Sequence, residues 1–192
     1  MTETETDTTR PCETENGNIC IECGLCCDGS MFKHAKIDKN DDMAFLKQMG
    51  VEFIAVSNKL FFHLPCMGQD GKLCRLYNDA RRFKVCKEFK CRLLKQYISG
   101  EISYNCAMDT IREILIHRQS VKEFFEILHT DHNNSDQSIF SFIRKLNLSG
   151  KMESLSFRKT YSKQIMDCFI FRELLNRKFY KKNSKEPECH DR

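Results

Sequence analysis

At 192 residues, with 41% hydrophobic and 30% charged side chains, the chain can build one ordinary domain or a small module with an extension, and it is too apolar for a disordered one. Its longest apolar run, Val51 to Leu64, is interrupted by Glu52, Ser57, Asn58, Lys59 and His63, so nothing approaches the roughly 20 apolar residues of a membrane span. The net charge of +4 is uneven: between Lys72 and Lys95 nine Lys or Arg face only Asp79 and Glu88, and from Lys151 onward eleven face six acids.

Residues 1–18 are polar and acidic, without the basic and apolar stretches of a secretory signal, and they read as a disordered lead-in. A cytoplasmic location is therefore expected. In that reducing setting twelve cysteines point to metal ligands rather than to a disulfide framework.

Residues 19–95 carry the dense cysteines among short mixed elements. Asp41-Asp42 ahead of Met43, Phe45, Leu46 and Met49 predicts a short helix that Gly50 closes. Val51–Val56 and Leu60–Leu64, on either side of Ser57-Asn58-Lys59, predict a β-hairpin that Pro65 stops.

Residues 96–182 read as a helical extension, and 183–192 as a disordered basic tail. Ile111, Ile114, Leu115, Val121, Phe124, Phe125 and Leu128 follow a 3.6-residue period. Ile139, Phe142, Ile143 and Leu146 repeat it after the Asn133-Asn134-Ser135 break, with a turn at Asn147-Leu148-Ser149-Gly150. Phe157, Tyr161, Ile165, Phe169 and Leu175 predict one long third helix. The fold expected is α+β and mostly α: a small cysteine-rich metal-binding module with short strands, followed by a C-terminal helical bundle.

Chemistry concentrates in the cysteines. The first group is Cys20-Ile-Glu-Cys23-Gly24-Leu-Cys26-Cys27. Two residues between cysteines let both sulfurs face one centre, at the 2.3 Å or so of a metal–sulfur bond. Gly24 frees the turn from a Cβ. Twelve cysteines scattered at random would produce this pattern with a chance of roughly 0.003, so the grouping calls for a chemical reason. Cys66, Cys74, Cys86 and Cys91 form a second group at looser spacings. Eight thiols suffice for two four-thiolate sites, or for one closed site and one with an open position. The side chains of adjacent Cys26 and Cys27 diverge, which would let one serve each site. Zinc, iron and a [4Fe-4S] cluster all suit such ligands. The surrounding Lys and Arg would stabilise an anionic metal–thiolate centre, or they form a solvated helix face.

Cys-x-x-Cys-Gly-x-Cys-Cys, then Cys66, Cys74-Arg-Leu-Tyr77 and Cys86-Lys-Glu-Phe89-Lys-Cys91 together resemble the YkgJ-type (CxxCxxCC) cysteine-cluster family, a zinc- or iron-chelating family, over about residues 20–91. The family's Tyr-x-x-Arg-Pro is here Tyr77-Asn-Asp-Ala-Arg81-Arg82-Phe83, longer and without proline. The resemblance implies metal held by the eight thiols. Through one branch of the family it also implies an alternative, an iron–sulfur enzyme or enzyme subunit in protein modification, lysine N-methylase-like.

Other candidates are weaker. His63, three residues before Cys66, and His34 are possible substitute ligands. Cys12 and Cys189 fall in the tails, and Cys106 and Cys168 are expected as small buried apolar groups. No phosphate loop, G-x-S-x-G or HExxH is present. A nucleic-acid role would use the basic belt with Phe83, Phe89 and Tyr97 as stacking groups and is disfavoured. The partners expected are a metal ion or iron–sulfur cluster and a protein partner or substrate, with no membrane.

Overall fold

A computed structural model describes residues 18–71, 73–128, 138–148 and 151–180. The lead-in to residue 17 with Cys12, the Asn133–Ser135 break, Ser149-Gly150 and the tail with Cys189 lie outside these residues. The fold is α+β and mostly helical. Among the described residues no helix is long and apolar enough to cross a membrane.

The chain opens with α1 (Ile19–Cys23), and Asn18, assigned to the lead-in by its polarity, is the N-cap: its side chain accepts from the Cys20 amide at 3.0 Å. Strand β1 (His34–Lys36) and helix α2 (Met43–Gln48) follow. The expected acidic start of α2 is realised by Asp42, whose carboxylate accepts from the Phe45 amide at 3.0 Å. Strands β2 (Phe53–Val56) and β3 (Lys59–His63) make the expected hairpin. Its two-residue turn, Ser57-Asn58, has positive φ at both positions, as a primed turn requires. The sheet order is β1-β3-β2, all antiparallel. A two-residue ribbon, β4 (Gln69–Asp70) with β5 (Leu73–Cys74), comes next, then the short helices α3 (Lys84–Glu88) and α4 (Arg92–Ile98).

Helix α5 (Tyr104–Leu128) realises the predicted stripe and buries Ala107, Met108, Ile111, Ile114, Val121 and Phe124. It packs chiefly on α8 (Ser162–Leu174) and also touches α6 (Ile139–Leu148), which continues through Asn147 and Leu148 where a turn was expected. The single third helix is not found. α7 (Leu155–Thr160) ends at Tyr161, α8 begins after it, and a π-helical turn, Leu175–Phe179, finishes the segment. Tyr161 leaves helical geometry (φ −113°, ψ 26°), and its ring lies tilted against those of Phe124 and Phe157. The predicted stripe also advanced in steps of four, which drift about 40° around a 3.6-residue helix each time. By Phe169 it has reached solvent (41% exposed), and Cys168, Phe171 and Phe179, outside the predicted stripe, join its Ile165 and Leu175 in the core.

Two apolar cores result. The larger joins α5, α6 and α8 to Ile19, Leu25 and Met31 of the first cysteine segment. The smaller holds Ile37, Leu46, Val51, Phe62, Leu64, Leu76 and Phe83 beneath the sheet. Phe83 stacks flat on Phe62 (4.1 Å between centroids, 15°). It is buried, and so unable to act as the stacking group considered for nucleic acid.

Gly29 sits where the cysteine segment, the sheet and α6 converge. Its φ is +78°, and a Cβ there would meet Ser138 Cβ at 3.0 Å and the Leu64 carbonyl carbon at 3.3 Å. Only glycine fits without displacing backbone.

Candidate metal centre

The local backbone turns the first cysteines inward. Cys20 and Cys23 lie three apart on α1 and so share a face. Gly24, at φ 65°, ends the helix and donates to the Cys20 carbonyl at 3.1 Å. The next turn closes with the Cys27 and Asp28 amides donating to the Gly24 carbonyl (2.9 and 3.1 Å). The Cys26 and Cys27 sulfurs are 4.0 Å apart, so these two side chains approach each other and do not diverge as expected. A backbone bond, Cys66 amide to Cys27 carbonyl at 2.8 Å, fastens the two cysteine groups together although they are 39 positions apart.

From that junction the thiols divide. Cys27, Cys66, Cys74 and Cys86 line one small cavity, together with Gln69, Leu76, Arg82 and Phe83. It has room for about one water-sized sphere, 10 Å³. Cys20, Cys23, Cys26 and Cys91 pack instead along the edge of the large helical core, with Cys91 and Cys20 close enough to Cys23 to act on its charge. The ten described cysteines form no disulfide. Among the described residues no three His, Cys, Asp or Glu stand in the closed geometry of a metal cage.

Backbone amides just downstream are directed at several of the sulfurs. Gly68 donates to Cys66 Sγ at 3.4 Å, and Leu94 to Cys91 Sγ at 3.4 Å. Amides two residues on, those of Leu25, Leu76 and Leu93, serve Cys23, Cys74 and Cys91. Neutral sulfur is a poor acceptor, so several N–H groups directed at thiols suit the thiolate form.

Burial acts the other way. It pushes the Cys66 thiol up to about 11 against the pull of the Gly68 amide, and Cys86 up to about 12 with help from its neighbouring thiols. Burial likewise raises Cys23, Cys74 and Cys91. At Cys27 the neighbouring Cys26 thiol is the first cause and burial the second. Arg82 is the counterweight: its positive charge lowers Cys27, Cys74 and Cys86. The Arg82 guanidinium lies over the Tyr77 ring (4.3 Å) and donates to the Tyr77 carbonyl at 3.4 Å. Its buried Nε has no hydrogen-bond acceptor among the described residues.

Elsewhere in the basic belt Arg75 lowers Cys66 and Lys95 lowers Cys91, while other members pair on the surface. Arg81 pairs with Asp79 and covers the Phe45 ring, and Lys84 pairs with Asp38 and Glu88. Of the two helical cysteines, Cys168 is buried as expected, but Cys106 is exposed, because it precedes the buried positions Ala107 and Met108 on the solvent side of α5. His34 and His63 do not line the thiol cavity; they stand beside each other on the sheet.

Two supports were not foreseen. Asp28, 7% exposed, faces Arg118 of α5 at 2.8 Å, an ion pair whose N–H is not aligned for a hydrogen bond. Tyr180 donates to the Met31 carbonyl at 2.6 Å. Both moor the cysteine segment to the bundle. Asp28 follows Cys27 directly and Arg118 is visibly off the apolar stripe, but nothing in the sequence links them.

Compared with known proteins, the chain matches no family model, and no curated protein or solved structure is significantly similar to it.

Proposed function

We propose that this chain is a metal-binding protein whose eight thiols act as two sets of four: Cys27, Cys66, Cys74 and Cys86 around one ion, and Cys20, Cys23, Cys26 and Cys91 around a second centre. The observation that carries the reading is the convergence of four cysteines from three separate segments on one atom-sized cavity, with Arg82 beside them. The chemistry of the donors fits. Soft thiolates select zinc and iron. A tetrathiolate centre is anionic, and Arg82 together with the amides directed at sulfur would offset that charge. A closed tetrathiolate ion supplies structural free energy rather than a reactive open position.

Four thiolates around one ion, such as zinc, would suit the first set. At the second set the spacing Cys20-x-x-Cys23-x-x-Cys26 with a remote Cys91 is also that of a four-iron cluster, which supports the alternative, an iron–sulfur protein or enzyme subunit acting in protein modification. The YkgJ-type resemblance belongs to both readings.

Metal analysis and visible spectra of anaerobically prepared protein separate them. The first reading expects a colourless chain with two zinc ions. A brown chain carrying about four irons supports the alternative, and a folded chain that takes up neither metal overturns both.

A further inference from the structure

Apart from the thiols, the sheet brings two histidines together. Strands β1 and β3 run antiparallel with His34 opposite His63. The ladder's hydrogen bonds fall on the odd-numbered residues of β1 and its flanks: the Leu64 amide donates to the Lys33 carbonyl at 3.0 Å, and the Ile37 amide to the Leu60 carbonyl at 2.8 Å. Hydrogen-bonded and non-hydrogen-bonded pairs alternate along an antiparallel ladder. His34 and His63 therefore occupy a non-hydrogen-bonded pair, where opposed Cα atoms approach to about 4.5 Å and side chains come closest.

The faces of the sheet decide the rest. Phe62, one position before His63, is buried in the small core beneath the sheet, while His63 is exposed on the other face. The two imidazoles lie with ring centroids 4.8 Å apart and planes inclined by 53°, and Phe61 borders them 6.5 Å from His34. Two nitrogens bound to one ion at about 2.1 Å each are a little over 3 Å apart. Rings already this close reach that separation by side-chain torsion alone, without moving the strands.

We propose that His34 and His63 form a two-imidazole chelate for a divalent transition-metal ion of the nickel, copper or zinc type, on the outer face of the sheet and independent of the thiol sets. Imidazole suits these ions, and the order of affinities places copper highest. Water completes the coordination, so the ion exchanges freely, unlike one enclosed by four thiolates.

The test uses the full chain under reducing conditions, treated with zinc and desalted so that thiols able to hold metal are already loaded. Nickel(II) is then titrated in, and the ring-proton NMR signals of the histidines are followed. The His34 and His63 signals should broaden together, ahead of those of His117. His34→Gln and His63→Gln should each weaken this binding at least about tenfold, since each removes the intramolecular second ligand. Lys36→Gln, on the same face, should leave it unchanged, and circular dichroism reports that the variants fold. Independent broadening of the two rings, or single variants that bind nickel as tightly as the parent, would overturn the proposal. Neither result depends on whether the thiols take metal.

Discussion

The helical bundle and the sheet module are held together by different means. The bundle has α5, twenty-five residues long, and a core in which Phe124, Phe171, Phe179, Ile111 and Ile114 are fully enclosed. The sheet module has seven buried apolar side chains, strands of two to five residues, and four thiols at its centre. Apolar burial is worth about 25 cal/mol per Å², and a core of seven side chains offers little of it. The bundle should therefore stand alone, whereas the module should depend on whatever joins its thiols.

Metal removal should separate the two most sharply. Structural zinc sites contribute about 10–16 kcal/mol of apparent binding energy as folding energy. Chelation should strip hydrogen-exchange protection from β2, β3 and the segment from Cys66 to Cys91 while α5 and α8 keep theirs. Uniform retention of protection across both regions would remove the distinction. The reverse experiment is Phe124→Ala, which should lower the bundle's unfolding free energy by about 3–5 kcal/mol in denaturant titration and leave the metal content unchanged.

Smaller effects probe the junction. Gly29→Ala introduces a Cβ against Ser138 and a backbone carbonyl carbon at positive φ, and should cost about 1–3 kcal/mol. Because Gly29 touches both regions, its melting transition should shift in the metal-loaded and metal-free protein alike. Arg82→Met keeps the bulk but removes the charge beside the thiols. It should lower metal affinity about 10–100-fold in a competition titration, without changing the number of ions bound.

The smallest effect lies wholly within the bundle. Asp167 of α8 accepts from Ser120 Oγ at 2.5 Å and pairs with His117 Nδ1 at 2.9 Å. The serine is bonded to the carboxylate and not to the imidazole, so this is a tie between helices and no nucleophile relay. Burial opposes the Asp167 charge, but these two partners outweigh it and hold the carboxyl below its ordinary range. A depressed carboxyl stabilises the fold above its unfolded value near pH 3.9, and that contribution disappears as the pH falls below it. Asp167→Asn should cost about 1 kcal/mol at neutral pH and flatten the acid limb of the stability curve, with no effect on metal content.

Periodicity made the bundle legible. The α5 stripe, the α2 cap at Asp42 and the Ser57-Asn58 turn all carry their physical causes within a few residues. The third helix failed because steps of four residues look periodic while rotating off the core, and because Tyr161 breaks the helix to reach Phe124. Which thiols stand near one another was not legible. It rests on contacts such as Cys66 to Cys27, and no spacing along the chain encodes them. Asp28 with Arg118, and Gly29 with Ser138, were hidden for the same reason: each partner looks ordinary until the fold brings it to the other.

The division of the eight thiols is the claim most open to direct attack. Native mass spectrometry of anaerobically zinc-loaded protein should find two ions on the parent chain. Cys66→Ser/Cys86→Ser should keep one ion, and Cys20→Ser/Cys23→Ser should also keep one. Loss of both ions from either double variant would contradict two independent four-thiolate sets, as would a parent chain that holds no metal.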